Sequence, residues 1–313
     1  MNEFGKQKKP FLFAIDYKLD KGIFIDNPEK QSDILFVTPL GTNKSEAIKS
    51  TPDNKLEIFP ITFGEYKKRF DNVMKSLKRG DTYLVNLTAR TPIKINVELK
   101  DIFMSSNSPY GLLFPGNFVC FSPERFVKIS NGVISTNPMK GTISADIPNA
   151  EKLILENEKE AAEHATVVDL LRNDLSLVAE NVTVEKYRYI DKIKTNNGNL
   201  LQVSSEIKGK LPADYHSRLG DIIFGLLPAG SICGAPKKST LEIISNAEQY
   251  DRGYYTGIFG YFNGNELDSG VLIRFIGQEN DKTYFYSGGG ITSKSNLKNE
   301  YEELLKKIYL PFQ

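Results

Sequence analysis

The chain has 313 residues, 40% hydrophobic and 25% charged, with 40 Lys+Arg against 39 Asp+Glu for a net charge of +1. That balance suits an ordinary folded protein, with no basic excess for nucleic acid and no acidic tail. Two cysteines, Cys120 and Cys233, are too few for a disulfide framework and point to a reducing, cytoplasmic setting. Two histidines, His164 and His216, exclude a His-rich metal site. No apolar stretch approaches a membrane span, and MNEFGKQKKP lacks the apolar region of a secretion signal.

The first third reads as strands and turns. Residues 11–17 and 21–25 form a hairpin around Leu19-Asp20-Lys21, and 34–39 is a short strand. Residues 63–77 are helical: Tyr66, Phe70, Val73, Met74 and Leu77 recur at helical spacing, and Arg79-Gly80-Asp81 ends the run. TYLVNLT (82–88) is a strand, and 117–129 is a strand pair broken at Ser122-Pro123. Residues 133–135 lead into a turn at 138–141. The stretch 151–178 is helical, as one or two helices. Strands follow at 182–190 and 199–209, then a helix at 219–227. Pro236 opens a helix over 237–247. Residues 257–262, 269–275 and 283–286 are strands, and 297–309 is a closing helix capped by Ser295. Adjacent strands without a regular βαβ rhythm predict an α+β fold in two lobes, with large, mainly antiparallel sheets and helices packed outside. No linker divides the chain, so residues 1–313 are expected to form one domain.

Two helices carry acids where apolar residues are expected. Glu160, Glu163, Val167 and Leu171 follow spacings of 3, 4 and 4, so both carboxylates lie on the line of the apolar stripe. Glu300, Glu303 and Lys307 share one face beside Leu304 and Ile308. Half-buried carboxylates call for a neutralising cation, and an all-oxygen set favours Mg²⁺ over Zn²⁺ or Cu²⁺. The alternative is a solvated acidic surface. Two Gly-rich stretches, 287–290 and 229–237, precede helices and match no nucleotide-binding pattern. They suit a small anion such as a carboxylate, or are ordinary turns. Arg274 is a candidate carboxylate clamp. In the 138–141 turn, Pro138 and Gly141 flank Lys140, a candidate nucleophile or base. Glu124, just past the Ser122-Pro123 break, is a candidate general acid. Taken alone, Lys140 is better explained as a solvated side chain, and Glu124 and Arg274 as ion-pair partners.

Together the segments TYLVNLT (82–88), SPERF (122–126), PMKGT (138–142), EKEAAEHATVVDLLRNDL (158–175), GSICGAPK (230–237), YYTGIFGY (254–261), IRF (273–275), SGGGI (287–291) and NEYEELLKK (299–307) resemble the chorismate-utilising enzymes. The resemblance spans roughly 80–310. It implies a large α+β sandwich and a Mg²⁺-dependent site between its sheets, with Glu160, Glu163, Glu300 and Glu303 as metal ligands. Tyr255, Arg274, the backbone of Gly288, Gly289 and Gly290, and Lys307 would hold the carboxylates of chorismate, with Ser231 and Gly234 lining the pocket. A lysine in PMKGT resembles the aminodeoxychorismate synthase component I branch; anthranilate synthases carry Ala there. The water-activating lysine of isochorismate and salicylate synthases corresponds to Leu84. The resemblance thus implies Lys140 as covalent nucleophile, Glu124 as general acid, and ammonia from a separate glutamine amidotransferase or from solution. The segment before Thr82 is short for the family, so no tryptophan site is expected. Gln202 stands where many relatives have a histidine.

Overall fold

The computed structural model describes residues 1–45, 54–195 and 198–312. Among these, the strands build two nine-stranded sheets whose pairings are all antiparallel, the α+β architecture expected. One sheet runs, in spatial order, Met139–Ser144, Gly198–Lys210, Val133–Thr136, Arg125–Ser130, Leu267–Val271, Ile258–Phe262, Phe11–Ile15 and Gly22–Asp26. Glu180–Thr195 pairs with its Gly198–Lys210 strand. The other runs Gly234–Ala235, Leu84–Ile95, Lys282–Ile291, Phe275–Glu279, Phe118–Ser122, Tyr110–Phe114, Leu35–Thr38 and Gly41–Thr42, with Leu56–Ile58 on Leu84–Ile95.

Side-chain alternation sorts the strands into layers. Leu12, Ala14, Phe259 and Tyr261 of the first sheet meet Phe118, Cys120, Phe275 and Tyr286 of the second in one buried cluster. Their neighbours Phe11, Phe13, Ile258 and Phe262 turn the other way, toward Val167 and Leu171 of the Glu158–Ser176 helix and Ile222 and Ile223 of Leu219–Leu226. On the second sheet, Val85, Leu87, Ala89 and Ile291 face Tyr66, Phe70, Ile244 and Leu304 from the helices Phe63–Arg79, Lys237–Glu248 and Leu297–Lys306. The result is two sheets face to face with helices on both outer surfaces. Full burial of each such aromatic or aliphatic side chain is worth about 1.5–3 kcal/mol.

The largest departures from expectation fall at the site. The pair expected over 117–129 is not a pair: Phe118–Ser122 lies in the second sheet and Arg125–Ser130 in the first. The strand expected over 269–275 splits the same way, into Leu267–Val271 and Phe275–Glu279. Continuous apolar runs look alike whichever sheet they join, so a change of sheet leaves no periodic signal. The two crossings bond to each other: Phe121 N–H donates to Arg274 O at 3.1 Å and Val271 N–H to Glu124 O at 3.0 Å. The expected 138–141 turn is instead the edge strand Met139–Ser144, whose register shifts between Met139 and Thr142, with Gly141 at φ 80°. This is a β-bulge, a device that re-aims a side chain. The 287–290 run is no loop either: Gly288, Gly289 and Gly290 pair with Thr88, Leu87 and Asn86 inside the Lys282–Ile291 strand. The last helix is capped by Asn296, which accepts from the Lys298 and Asn299 N–H groups; Ser295 instead accepts from Thr292 N–H. The Leu99–Ser105 helix was not foreseen in the sequence.

Candidate active site

The two sheet crossings deliver Glu124 and Arg274 side by side. Glu124 lines a cavity of about 70 Å³ together with Arg125, Lys140, Val167, Leu171 and Ser231. Larger hollows exist, such as one of about 560 Å³ bordered by Ala145, Lys152 and Lys192, but it is lined by none of the residues singled out above. Burial pushes the Glu124 carboxyl above the usual carboxylate range, against the opposing charges of Lys140, Arg274 and Lys307 and a hydrogen bond from Ser231. Burial likewise pulls the Lys307 ammonium down, with Arg274 and Lys140 adding to the effect and Glu303 opposing it. Tyr255, 3% exposed, is raised by burial and feels both Arg274 and Glu124. A carboxyl group, three cations, a hydroxyl and a phenol therefore share one neighbourhood. Arg274 holds φ at 52°, a left-handed conformation unusual for a non-glycine and often found at functional sites.

The glycine run explains how the last helix reaches this neighbourhood. Tyr284 and Tyr286 point into the layer between the sheets, while Phe285 and Ile291 point to the helices. By alternation Gly289 faces the helices and Gly290 the inter-sheet side. A Cβ built on Gly289 would stand 3.4 Å from Glu303 Oε1, 3.6 Å from Glu300 Oε2 and 3.7 Å from Lys307 Nζ. A Cβ on Gly290 would stand 3.8 Å from Lys140 Nζ and 3.0 Å from Leu84 Cδ1. With no side chain at Gly289 or Gly290, the acids of the last helix and the lysine of the bulge both approach this backbone. Lys307 bridges Glu303 at 2.7 Å and donates to Gly288 O at 2.6 Å.

The other two acids sit on the Glu158–Ser176 helix. Glu160 Oε2 lies 3.4 Å from where a Cβ of Gly141 would stand, against the bulge. Glu163 borders a hollow of about 210 Å³ with Tyr83, Thr166, Thr292 and Lys294. Along their line, exposure falls from half-buried Glu160 and Glu163 to buried Val167 and Leu171. Glu300 is 7% exposed. Among the described residues no three or more Asp, Glu, His or Cys side chains are gathered into a ready metal cluster. These carboxylate oxygens are the donor type that a hard cation keeping waters in its shell would take, and buried Glu300 would gain most from such a charge.

Gly234 and Gln202 lie against neighbouring strands. Gly234 does not line the cavity with Ser231: at φ 118° it pairs with Val85, and a Cβ there would stand 1.8 Å from Leu84 O. Its role is close packing of two backbones. Gln202 pairs with Thr142, its amide 3.5 Å from the Thr142 hydroxyl, while Leu201 and Val203 on the opposite face are buried.

Some contributors escaped the sequence reading. Arg252 and Glu248, each with a side chain 1% exposed, form a buried pair at 2.6 Å. Arg252 also donates to Asn86 O at 2.6 Å, Ile232 O at 3.3 Å and Thr256 Oγ1 at 3.1 Å, and Glu248 accepts from Thr88 N–H at 2.7 Å. The pair thereby fixes the strand opposite Gly288 and Gly290, the segment carrying Ser231, and the one carrying Tyr255. Lys237 bridges Asp174 at 2.8 Å, and Asp174 accepts from Gly230 N–H, tying the same segment to the acid-bearing helix. His164, 1% exposed, is held down to about 4 by burial and by the charges of Arg188 and Lys140. The i,i+4 spacing of Glu248 and Arg252 was the available signal; it reads equally as a surface pair.

The carboxyl and cation cluster lies where strands cross between the two antiparallel sheets, and it can offer both a proton and positive charge to a small anion. Residues 23–312 match the family of chorismate binding enzymes, and the chain belongs to that family. It is 50% identical to an uncharacterized PabA-like protein of Haemophilus influenzae, over 100% of this chain and 95% of that protein. It is 33% identical to aminodeoxychorismate synthase component 1 of Bacillus subtilis, over 80% of this chain but 55% of that one. Anthranilate synthase component I from Streptococcus pneumoniae superposes with a TM-score of 0.68 at 26% identity, covering 82% of this chain and 59% of that one. The menaquinone-specific isochorismate synthase of Escherichia coli, at 18% identity and TM-score 0.65, covers 84% and 62% and shares the fold. No helix among the described residues is long and apolar enough to cross a membrane.

Proposed function

We propose that this chain is an aminodeoxychorismate synthase component, converting chorismate and ammonia to 4-amino-4-deoxychorismate in the cytoplasmic 4-aminobenzoate branch toward folate. The observation that carries this reading is the position of the Lys140 amine. It lies on the inter-sheet side of Gly290, in one electrostatic cluster with Glu124, Arg274 and Lys307. Leu84 stands beside the same glycine, so the place a water-activating lysine would take is apolar.

In this reading Arg274, Lys307, Tyr255 and the backbone of 288–290 hold the two substrate carboxylates. Glu160, Glu163, Glu300 and Glu303 would hold Mg²⁺, which when bound would supply positive charge to offset a substrate carboxylate. The Lys140 amine forms a bond to ring carbon 2, the ring double bonds shift, and the carbon 4–oxygen bond breaks. Glu124, whose protonated form burial favours, donates its proton to the departing hydroxyl, which leaves as water. Ammonia then adds at carbon 4, the electrons shift back, the carbon 2–nitrogen bond breaks to release Lys140, and the added nitrogen gives its surplus proton back to Glu124. Two displacements replace one difficult one. Ammonia comes from a separate glutamine amidotransferase chain or from solution.

The test is incubation with chorismate, Mg²⁺ and ammonium, with products separated by chromatography. 4-Amino-4-deoxychorismate is expected. Anthranilate or isochorismate as the product of the unaltered protein, or no turnover, refutes the reading.

A further inference from the structure

Among the buried ionisable groups that the mechanism leaves unused is His164. His164 lies on the Glu158–Ser176 helix, one turn beyond Glu160, and is 1% exposed. Its Nε2 is 2.6 Å from Ser205 Oγ, and its Nδ1 has no hydrogen-bond partner among the described residues. Leaving part of an imidazole buried and unsatisfied is destabilising, so simple packing would be better served by Leu or Phe.

Ser205 is where the surrounding elements meet. Its Oγ accepts from Arg188 N–H at 2.9 Å, and its own N–H donates to Pro138 O at 3.0 Å. Pro138 stands two residues before Lys140, at the start of the bulge. Between Met139 and Thr142 the ladder loses register, so Lys140 and Gly141 have no paired residue on the neighbouring strand. The Ser205–Pro138 bond is thus an anchor at the entry to the bulge, and the His164 bond ties that anchor to the helix bearing Glu160 and Glu163. We propose that His164 is a positioning residue: through Ser205 it locks the Lys140 bulge to the acid-bearing helix. This rests on the reading of Lys140 as nucleophile.

The experiment compares His164→Leu, His164→Gln, Ser205→Ala and the double variant His164→Gln/Ser205→Ala. Gln presents an amide nitrogen near the position of Nε2; Leu does not. With the substrates above, His164→Leu and Ser205→Ala should lose about 10–100-fold in kcat with KM within about twofold, as a misplaced reacting group does. His164→Gln should recover to within about threefold of the unaltered protein, and the double variant should be no worse than Ser205→Ala. In parallel, labelling by trinitrobenzenesulfonate, mapped to Lys140 by mass spectrometry, should be several-fold faster in His164→Leu and Ser205→Ala and restored in His164→Gln. Unchanged kcat, a loss confined to KM, failure of Gln to rescue, or unchanged labelling overturns the proposal. If His164→Leu does not fold, Ser205→Ala removes the same bond and decides it. If the unaltered protein makes no 4-amino-4-deoxychorismate, the functional reading falls, and the labelling still decides whether His164 places the lysine.

Discussion

The three consecutive glycines of the Lys282–Ile291 strand predict three different outcomes for the same substitution. At Gly288, an alanine Cβ would stand 2.6 Å from Thr88 Cγ2 and 2.7 Å from Leu87 O. The second contact is backbone on the paired strand and cannot yield without moving it, so Gly288→Ala should cost about 1–3 kcal/mol. At Gly289 the nearest atoms are carboxylate and ammonium atoms at 3.4–3.7 Å, ordinary contact distances. Its φ is not left-handed, and alanine in a strand interior is favoured over glycine by about 0.5–1 kcal/mol, so Gly289→Ala should match or slightly exceed the native stability. At Gly290 the tight contact, 3.0 Å, is to the movable end of Leu84, so the cost is small. Activity should follow a different order. A methyl at Gly289 fills the space beside Glu300, Glu303 and Lys307, and one at Gly290 approaches Lys140. Both should lose about 100-fold in kcat/KM, equivalent to about 2.7 kcal/mol of transition-state stabilisation. Thermal unfolding followed by circular dichroism gives the stability order, and initial rates with chorismate and ammonium give the other. A Gly289→Ala protein that is stable and fully active refutes the claim that substrate and cation meet over this backbone.

Other perturbations bear on the same arrangement. Lys140→Ala should abolish 4-amino-4-deoxychorismate and, by opening carbon 2 to ammonia, allow a trace of anthranilate; chromatography distinguishes this from an unaffected variant. Burial raises the Glu124 carboxyl, so it holds its proton to higher pH when folded than when unfolded. Its contribution to stability is present at low pH and lost as pH rises through the raised value. kcat/KM should fall over the same alkaline limb, and Glu124→Gln should lose about 10²–10⁴-fold and flatten that limb. Arg252→Ala leaves Glu248 charged and buried and should cost about 3–5 kcal/mol in urea unfolding. Chelation of Mg²⁺ should stop turnover reversibly, and Glu300→Gln should raise the Mg²⁺ concentration needed for half-maximal rate by about tenfold or more; turnover indifferent to chelator would remove the cation from the reading.

What the amino-acid order alone determined was local and compositional. The period of Tyr66, Phe70, Val73 and Leu77 was enough for the Phe63–Arg79 helix, because an amphipathic face is written within one element. The descent from Glu160 and Glu163 into Val167 and Leu171 was legible for the same reason. The motif set, read as a resemblance, pointed to the family and to residues that the structure gathers: Lys140, Glu124, Arg274, Tyr255, Lys307 and Ser231. Tertiary structure alone decided which sheet each strand joins, because neither FVCFS over Phe118–Ser122 nor RFVKIS over Arg125–Ser130 specifies its pairing partner. It turned a presumed loop at 287–290 into a paired strand and a presumed turn at 138–141 into a bulged edge, since glycine permits all of these conformations and only the neighbouring strand selects one. It also buried Arg252, Glu248 and His164, whose short spacings would suit an exposed helix as well. Their enclosure comes from residues more than a hundred positions away in Arg252 with Asn86, and from the Ser205 strand for His164, contacts that no local pattern records.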